Sequence, residues 1–325
     1  MTLAPRPRIA RRALHGVLLL DKPLGLSSND ALQKAKWLLR AEKAGHTGTL
    51  DPLATGLLPL CFGAATKFSQ VSLDADKAYE AVLMLGVMTT TGDAEGEVLE
   101  RREVNVSRAQ IEAAVAQFIG LIDQVPPMYS ALKFEGRPLY EYARAGITID
   151  RPSRQITIHS IDILGWQADR LTIAVRCTKG TYIRTLAEDL GRVLGCGASL
   201  AALRRTAAGP LNVTQAITLD ALAALTEAER EALLRPPDSL LADWPALCLP
   251  EDEAGRFLTG LRRRVTAPDA PRIRVYCQKG PDQKSLLGSA HITAGELIAD
   301  RLLSPLEVES LLGATRSSEI LESVV

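Results

Sequence analysis

Gly45-His46-Thr47-Gly48-Thr49-Leu50-Asp51-Pro52-Leu53-Ala54-Thr55-Gly56 reads as a loop by composition, and its one acid stands immediately before a proline. The proline ring pushes the backbone of Asp51 away from the helical region and toward extended conformations. Glycines at 45, 48 and 56 let the chain turn tightly and let backbone groups come close to a ligand. A P-loop phosphate cradle is excluded, because no Lys-Ser or Lys-Thr follows the last glycine. Asp-Pro also opens many ordinary turns, so these residues alone favour a structural loop over a catalytic one.

The flanking sequence supplies a frame. Leu57-Leu58-Pro59-Leu60-Cys61 reads as a buried strand, and so does Gly16-Val17-Leu18-Leu19-Leu20-Asp21, which ends in the turn Lys22-Pro23-Leu24-Gly25. Ser27, Ser28, Asn29 and Asp30 offer capping side chains to a helix over Ala31 to Leu39, with Leu32, Ala35, Trp37 and Leu39 along its apolar side. Loops held between such elements are where chemistry tends to sit. Farther on, Lys77 to Leu85 reads as a strand, Arg108 to Phe118 as a helix, and Gln155 to Leu164 with Leu171 to Cys177 as antiparallel strands; Thr181 to Leu194 is a helix and Leu203 is expected on another. Strands and helices mix without regular βαβ alternation or any internal repeat. The expected fold class is α+β, a mixed and mainly antiparallel sheet flanked by helices.

At 325 residues the chain is long enough for two domains. Prolines 236, 237, 245 and 250 punctuate an acidic stretch, so the expected division is 1–250 and 251–325, the second part small and β-rich with a strand near Arg272 to Cys277. A composition of 46% apolar and 23% charged residues suits a packed core and excludes a disordered or fibrous chain. No apolar run approaches the roughly 18–20 residues of a membrane span, so no membrane is expected. The five cysteines are scattered and never spaced as CxxC, and the four histidines lack ligand spacing; a reducing cytoplasm and no metal are expected.

Net charge is zero, which at first argues against a nucleic-acid partner. By segment the balance is uneven. Residues 1–46 carry nine Lys and Arg against three acids, residues 124–215 twelve against seven, and residues 254–280 seven against one. Any one such block is explained by a solvated face, but three favour RNA modestly.

The quoted loop closely resembles the active-site loop of the TruB family of pseudouridine synthases. The resemblance continues in order: Leu20-Asp21-Lys22-Pro23-Leu24-Gly25 is similar to the family's N-terminal KPxG motif, and Ala65-Thr66-Lys67 to the end of its active-site helix region. Lys77-Ala78-Tyr79-Glu80 with Leu85-Gly86 resembles its KxY strand, and Val175-Arg176-Cys177-Thr178-Lys179-Gly180-Thr181-Tyr182-Ile183-Arg184 its second signature. The matches cover about residues 15–210, and a weaker likeness to a PUA-type RNA-binding domain covers the C-terminal segment. Gln124 to Gly146, with Pro126-Pro127-Met128-Tyr129-Ser130 followed by Lys133, Arg137 and Arg144, is similar to the family's RNA-gripping insertion, placed at about 124–152.

What this resemblance implies is a pseudouridine synthase fold and isomerisation of a uridine in the tRNA T-loop (position 55), with the base flipped out of the RNA. Asp51 is then the catalytic carboxylate. Arg184 is the cation beside it, which an otherwise unpaired buried carboxylate needs to stay ionised. Tyr79 is both a stacking and a catalytic candidate, Tyr182 and Leu203 line the uracil pocket, and His46 and Lys22 bind substrate. The reaction needs no cofactor. The partner is the T-stem-loop of tRNA, with no guide RNA, and the chain is expected to act as a cytoplasmic monomer. Residues beyond 251 are expected to aid affinity and not chemistry, with Arg262, Arg263, Arg264, Arg272 and Arg274 suited to phosphates. An RNA-guided synthase subunit and a tRNA-folding module are the alternatives; a glycosidase would want two working carboxylates, and no second one joins the motifs.

Overall fold

A computed structural model describes residues 10–280 and 283–312. Arg6 and Arg8 of the first basic segment and the tail past 312 lie outside the described residues.

Among the described residues, ten strands form the main sheet. Its spatial order is Ile217–Thr218, Gly16–Lys22, Ala54–Phe62, Ala198–Ala208, Lys77–Leu85, Arg170–Cys177, Arg154–Gln167, Gly120–Gln124. The short strands Ala44–His46 and Leu211–Asn212 pair with Ala54–Phe62 and Ala198–Ala208. Most neighbours are antiparallel; Ile217–Thr218 against Gly16–Lys22 and Ala198–Ala208 against Ala54–Phe62 are parallel. Gly16–Lys22 is buried along nearly its whole length because it is paired on both edges and packs apolar clusters on both faces, which explains its unbroken apolar run.

One pairing decides where the chemistry sits. The strand Ala198–Ala208 sets Leu203 opposite Ala54 and Arg205 opposite Gly56, at the end of the Asp51 loop, while on its other edge it sets Arg205 opposite Tyr79. Leu203 is therefore on a strand and not on the expected helix. Its alanine-rich surroundings suit a helix by propensity, but pairing on both edges overrides that weak preference.

The helix Ser28–Leu38 starts where the capping residues predict, with Ser27 accepting from the Asp30 amide. It buries Ser28, Ala31, Leu32 and Ala35. Trp37, two residues past that stripe, lies on the opposite side of the helix and is 60% exposed, so it does not join the core as expected. Ile183–Val193 buries Ile183, Leu186, Ala187 and Leu190 against the sheet.

A second sheet of five strands runs Ala246–Pro250, Ala270–Gln278, Lys284–Thr293, Glu296–Leu302, Arg263–Arg264. This β-rich part is consistent with the PUA-like expectation. It begins ahead of residue 251, since Ala246–Pro250 pairs in parallel with Ala270–Gln278. The two sheets also share apolar packing: Val17, Leu57 and Phe68 belong to the same buried cluster as Leu249, Phe257 and Val275. Lys67 clamps the join, its Nζ donating to the Leu302 carbonyl at 2.9 Å and lying 2.6 Å from Glu307 Oε2.

Candidate active site

The Asp51 loop is fastened along its length. Ser28 Oγ accepts from the Leu50 amide at 2.7 Å and donates to the Leu50 carbonyl at 3.1 Å, the Gly25 amide donates to the Pro52 carbonyl, and Ser72 Oγ donates to Thr47 Oγ1. The turn that follows Lys22 and the cap of the first helix thus fix the residues on either side of Asp51.

Asp51 Oδ2 lies 3.1 Å from Arg184 Nη2, and the Asp51 side chain keeps 43% exposure. Arg184 keeps 6% and is held by the Thr91 carbonyl at 3.2 Å and the Tyr129 carbonyl at 2.5 Å. Asp93 Oδ2 stands 3.5 Å from Arg184 Nη1, with its side chain 4% exposed. One buried guanidinium therefore sits between two carboxylates, of which Asp51 is much the more exposed. Burial raises the Asp51 carboxyl above the ordinary carboxylate range; Arg184 opposes this, Asp93 adds to it, and Lys22 opposes it weakly.

Asp51 borders a cleft of about 410 Å³ that Tyr79, Tyr182, Leu203 and Arg205 also line. On its other side lies a second cleft of about 450 Å³, lined by His46, Asp93, Tyr129, Tyr140 and Arg144 among others. The structure thus brings Asp51, Tyr79, Tyr182, Arg184 and Leu203 to one opening and sets His46 at the adjoining one. Tyr182 is gripped by Gln124, which accepts from its amide at 2.8 Å and donates to its carbonyl at 3.1 Å, and the Arg154 guanidinium lies 5.0 Å from its ring centre. His46 Nδ1 is buried without a partner, and burial with the Arg205 charge lowers its pKa, which favours the neutral ring.

Lys22, expected to bind substrate, is placed apart from that opening. It is fully buried, and its Nζ donates to the Pro23 and Leu26 carbonyls at 2.9 and 2.6 Å. Burial lowers its pKa to about 8, against the pull of Asp51. Its place is under the turn, as a brace; it lines a larger neighbouring cleft with Asp21 and Arg204 and not the one beside Asp51.

Three residues of these clefts carry no role in the sequence motifs: Asp93, Lys77 and Arg205. Lys77 stood inside a quoted motif, and its buried Nζ caps the carbonyls of Ser72, Leu73 and Ala75. Asp93, in Thr91-Gly92-Asp93-Ala94-Glu95-Gly96, has the composition of a solvent turn, and nothing local says that it folds onto Arg184. A second carboxylate does join the motifs, then: nearly buried, it borders the second cleft and shares Arg184 with Asp51.

Two family models match the chain: TruB family pseudouridylate synthase (N terminal domain) over residues 36–183, and tRNA pseudouridylate synthase B C-terminal domain over 184–242. The tRNA pseudouridine synthase B of Verminephrobacter eiseniae is 57% identical over 321 residues, covering 97% of this chain and 96% of that one. The protein of the same description from Cupriavidus pinatubonensis is 58% identical over 307 residues, covering 91% and 96%. Among solved structures, a chain of a Cbf5-Nop10-Gar1 complex superposes with a TM-score of 0.71 at 24% identity, covering 91% of this chain and 87% of that chain, a likeness of fold. With near full-length relatives at this identity, and with the quoted loop at the floor of the cleft, the chain belongs to the TruB family of pseudouridine synthases.

Proposed function

We propose that this chain isomerises a uridine in the T-loop of tRNA, at position 55, to pseudouridine, acting as a cytoplasmic monomer without guide RNA or cofactor. The observation that carries the reading is the half-exposed Asp51 held by a buried Arg184 at the edge of a cleft that Tyr79, Tyr182 and Leu203 line. The tRNA part rests on the printed description of the relatives.

The reaction breaks the N1 glycosidic bond, turns the uracil, and bonds C5 to the same ribose carbon; C5 gives up one proton and N1 takes one. Atoms and charge balance within the nucleoside, so no energy source is required. An ionised Asp51 acts on the ribose or the ring, or stabilises the intermediate between bond breaking and bond making. Tyr182 and Leu203 provide apolar walls for an extruded base, and Tyr79 presents a hydroxyl toward it. Because only the ionised carboxylate serves, the rate should fall as pH drops through the raised pKa of Asp51.

The purified chain, given an unmodified tRNA transcript and no other RNA, should place pseudouridine at one T-loop position. No product, or product only when a guide RNA is added, would replace this reading with that of an RNA-guided subunit.

A further inference from the structure

Arg205 is 1% exposed, and among the described residues no carboxylate lies within ion-pair distance of it. Its Nε donates to the Leu57 carbonyl at 2.7 Å and its Nη2 to the Gly48 carbonyl at 3.1 Å, one on the strand that leaves the Asp51 loop and one inside the loop. On the neighbouring strand it stands directly opposite Tyr79, where side chains of paired residues share a face. It also lines the cleft that holds Asp51 and Tyr79. A guanidinium stays charged even when buried, so this positive charge needs an anionic or strongly polar neighbour. The two carbonyls satisfy part of its fork; the remaining neighbour able to become an anion is the Tyr79 hydroxyl.

We propose that Arg205 is a positioning residue for the isomerisation: its guanidinium ties the Asp51 loop to Tyr79 and stabilises the Tyr79 oxygen as the acceptor of the proton that leaves C5. This rests on the functional reading above and deepens it. The Tyr79 hydroxyl first passes its proton to solvent, leaving a phenolate beside Arg205. The phenolate then takes the C5 proton once C5 is bonded to the ribose carbon, and N1 takes a proton from solvent. Tyr79 ends as it began, and the substrate gains and loses one proton. Burial makes the phenolate costly, and the neighbouring guanidinium offsets part of that cost.

The test compares Arg205→Met, Arg205→Lys, Tyr79→Phe and the Arg205→Met/Tyr79→Phe double variant with the wild-type chain, on tRNA carrying hydrogen or deuterium at C5 of the target uridine. Arg205→Met should keep tRNA affinity within about twofold and lose about 10- to 100-fold in single-turnover rate at saturating tRNA, the scale of one misplaced proton acceptor. Its C5 isotope effect should exceed that of the wild type, and Arg205→Lys, which keeps the charge, should recover part of the rate. The double variant should be no slower than Tyr79→Phe alone. A rate loss that multiplies with Tyr79→Phe and leaves the isotope effect unchanged would overturn the proposal and reduce Arg205 to loop support; so would an unchanged rate. Should Arg205→Met fail to fold by thermal melt, the isotope effect of Arg205→Lys carries the decision by the same criteria. Full activity of Tyr79→Phe would likewise overturn the proposal while leaving the functional reading in place; failure of the wild-type chain to isomerise would instead remove the functional reading.

Discussion

Arg184 divides its charge between Asp51 and Asp93, and the division sets when Asp51 is ionised. Asp93 raises the pKa of Asp51 in two ways: as a like charge nearby and as a competitor for the same guanidinium. Asp93→Asn should therefore move the acid limb of the pH–rate profile to lower pH, measured by single-turnover isomerisation between pH 5 and 8; a limb that stays or moves upward contradicts this arrangement. The motifs made Asp51, Tyr79 and Arg184 legible, because each lies in a stretch whose residue order is distinctive. Asp93 was illegible for a physical reason. Its partner is about ninety residues away in sequence, and a short acid turn with glycines looks alike whether it meets solvent or a buried cation.

The strand Ala54–Phe62 is the element on which loop geometry depends, and Gly56 is where it tolerates least change. Gly56 has φ +97, and an added Cβ would stand 2.3 Å from the Arg205 carbonyl oxygen and 2.8 Å from its amide nitrogen. Gly56→Ala should thus cost at least about 1–3 kcal/mol in denaturant unfolding, from backbone strain before the clash is counted, and should slow isomerisation by shifting the Asp51 loop. A variant as stable and as fast as the wild type would show that the loop does not rely on that approach. The strands Lys77–Leu85 and Arg170–Cys177 were legible from alternation, and Gly16–Lys22 from its apolar run. The strand Ala198–Ala208 was not, since what makes it a strand is its two partners, Ala54–Phe62 and Lys77–Leu85, and no local pattern records them. The insertion carries a short hairpin, Lys133–Phe134 with Arg137–Pro138, and the helix Leu139–Arg144, with Arg137 and Arg144 stacked near Tyr142 and Tyr140. Arg137 also lies 3.4 Å from Glu141 Oε2, so its charge is shared between a ring and a carboxylate.

At the scale of the whole molecule, the two sheets cannot be separated as cleanly as proline spacing suggests. Deleting 251–325 would strip Ala246–Pro250 of its partner strand and uncover Val17, Leu57 and Phe68, so the remainder should melt at a lower temperature than the full chain; an unchanged melting temperature would deny the shared core. Of the five C-terminal arginines expected on phosphates, Arg263 is instead paired with Glu253 at 3.0 Å and Arg274 donates to the Trp244 carbonyl at 2.9 Å. Arg262, Arg264 and Arg272 remain exposed. Stability should also carry a pH signature. Lys22 and Lys77 each have a pKa of about 8 in the fold against the ordinary 10.5, so the unfolded chain binds more protons and stability rises with pH from 8 upward. Cys61 and Cys177, raised to about 12 and about 11 from 9.0, act oppositely above pH 9, where the unfolded chain releases those protons first. Melting temperature should rise between pH 8 and 9, level off while the lysines and cysteines offset each other, and decline above the ordinary lysine value of 10.5; a steady fall from pH 8 would contradict the burial of the two lysines. The central claim, that Asp51 does the chemistry while basic surfaces do the binding, is tested most directly by Asp51→Asn on unmodified tRNA, with affinity and single-turnover pseudouridine formation measured together. Asp51→Asn should bind with near wild-type affinity, weakening steeply with salt, and form no detectable product; product at the wild-type rate would rule out Asp51 as the catalytic carboxylate.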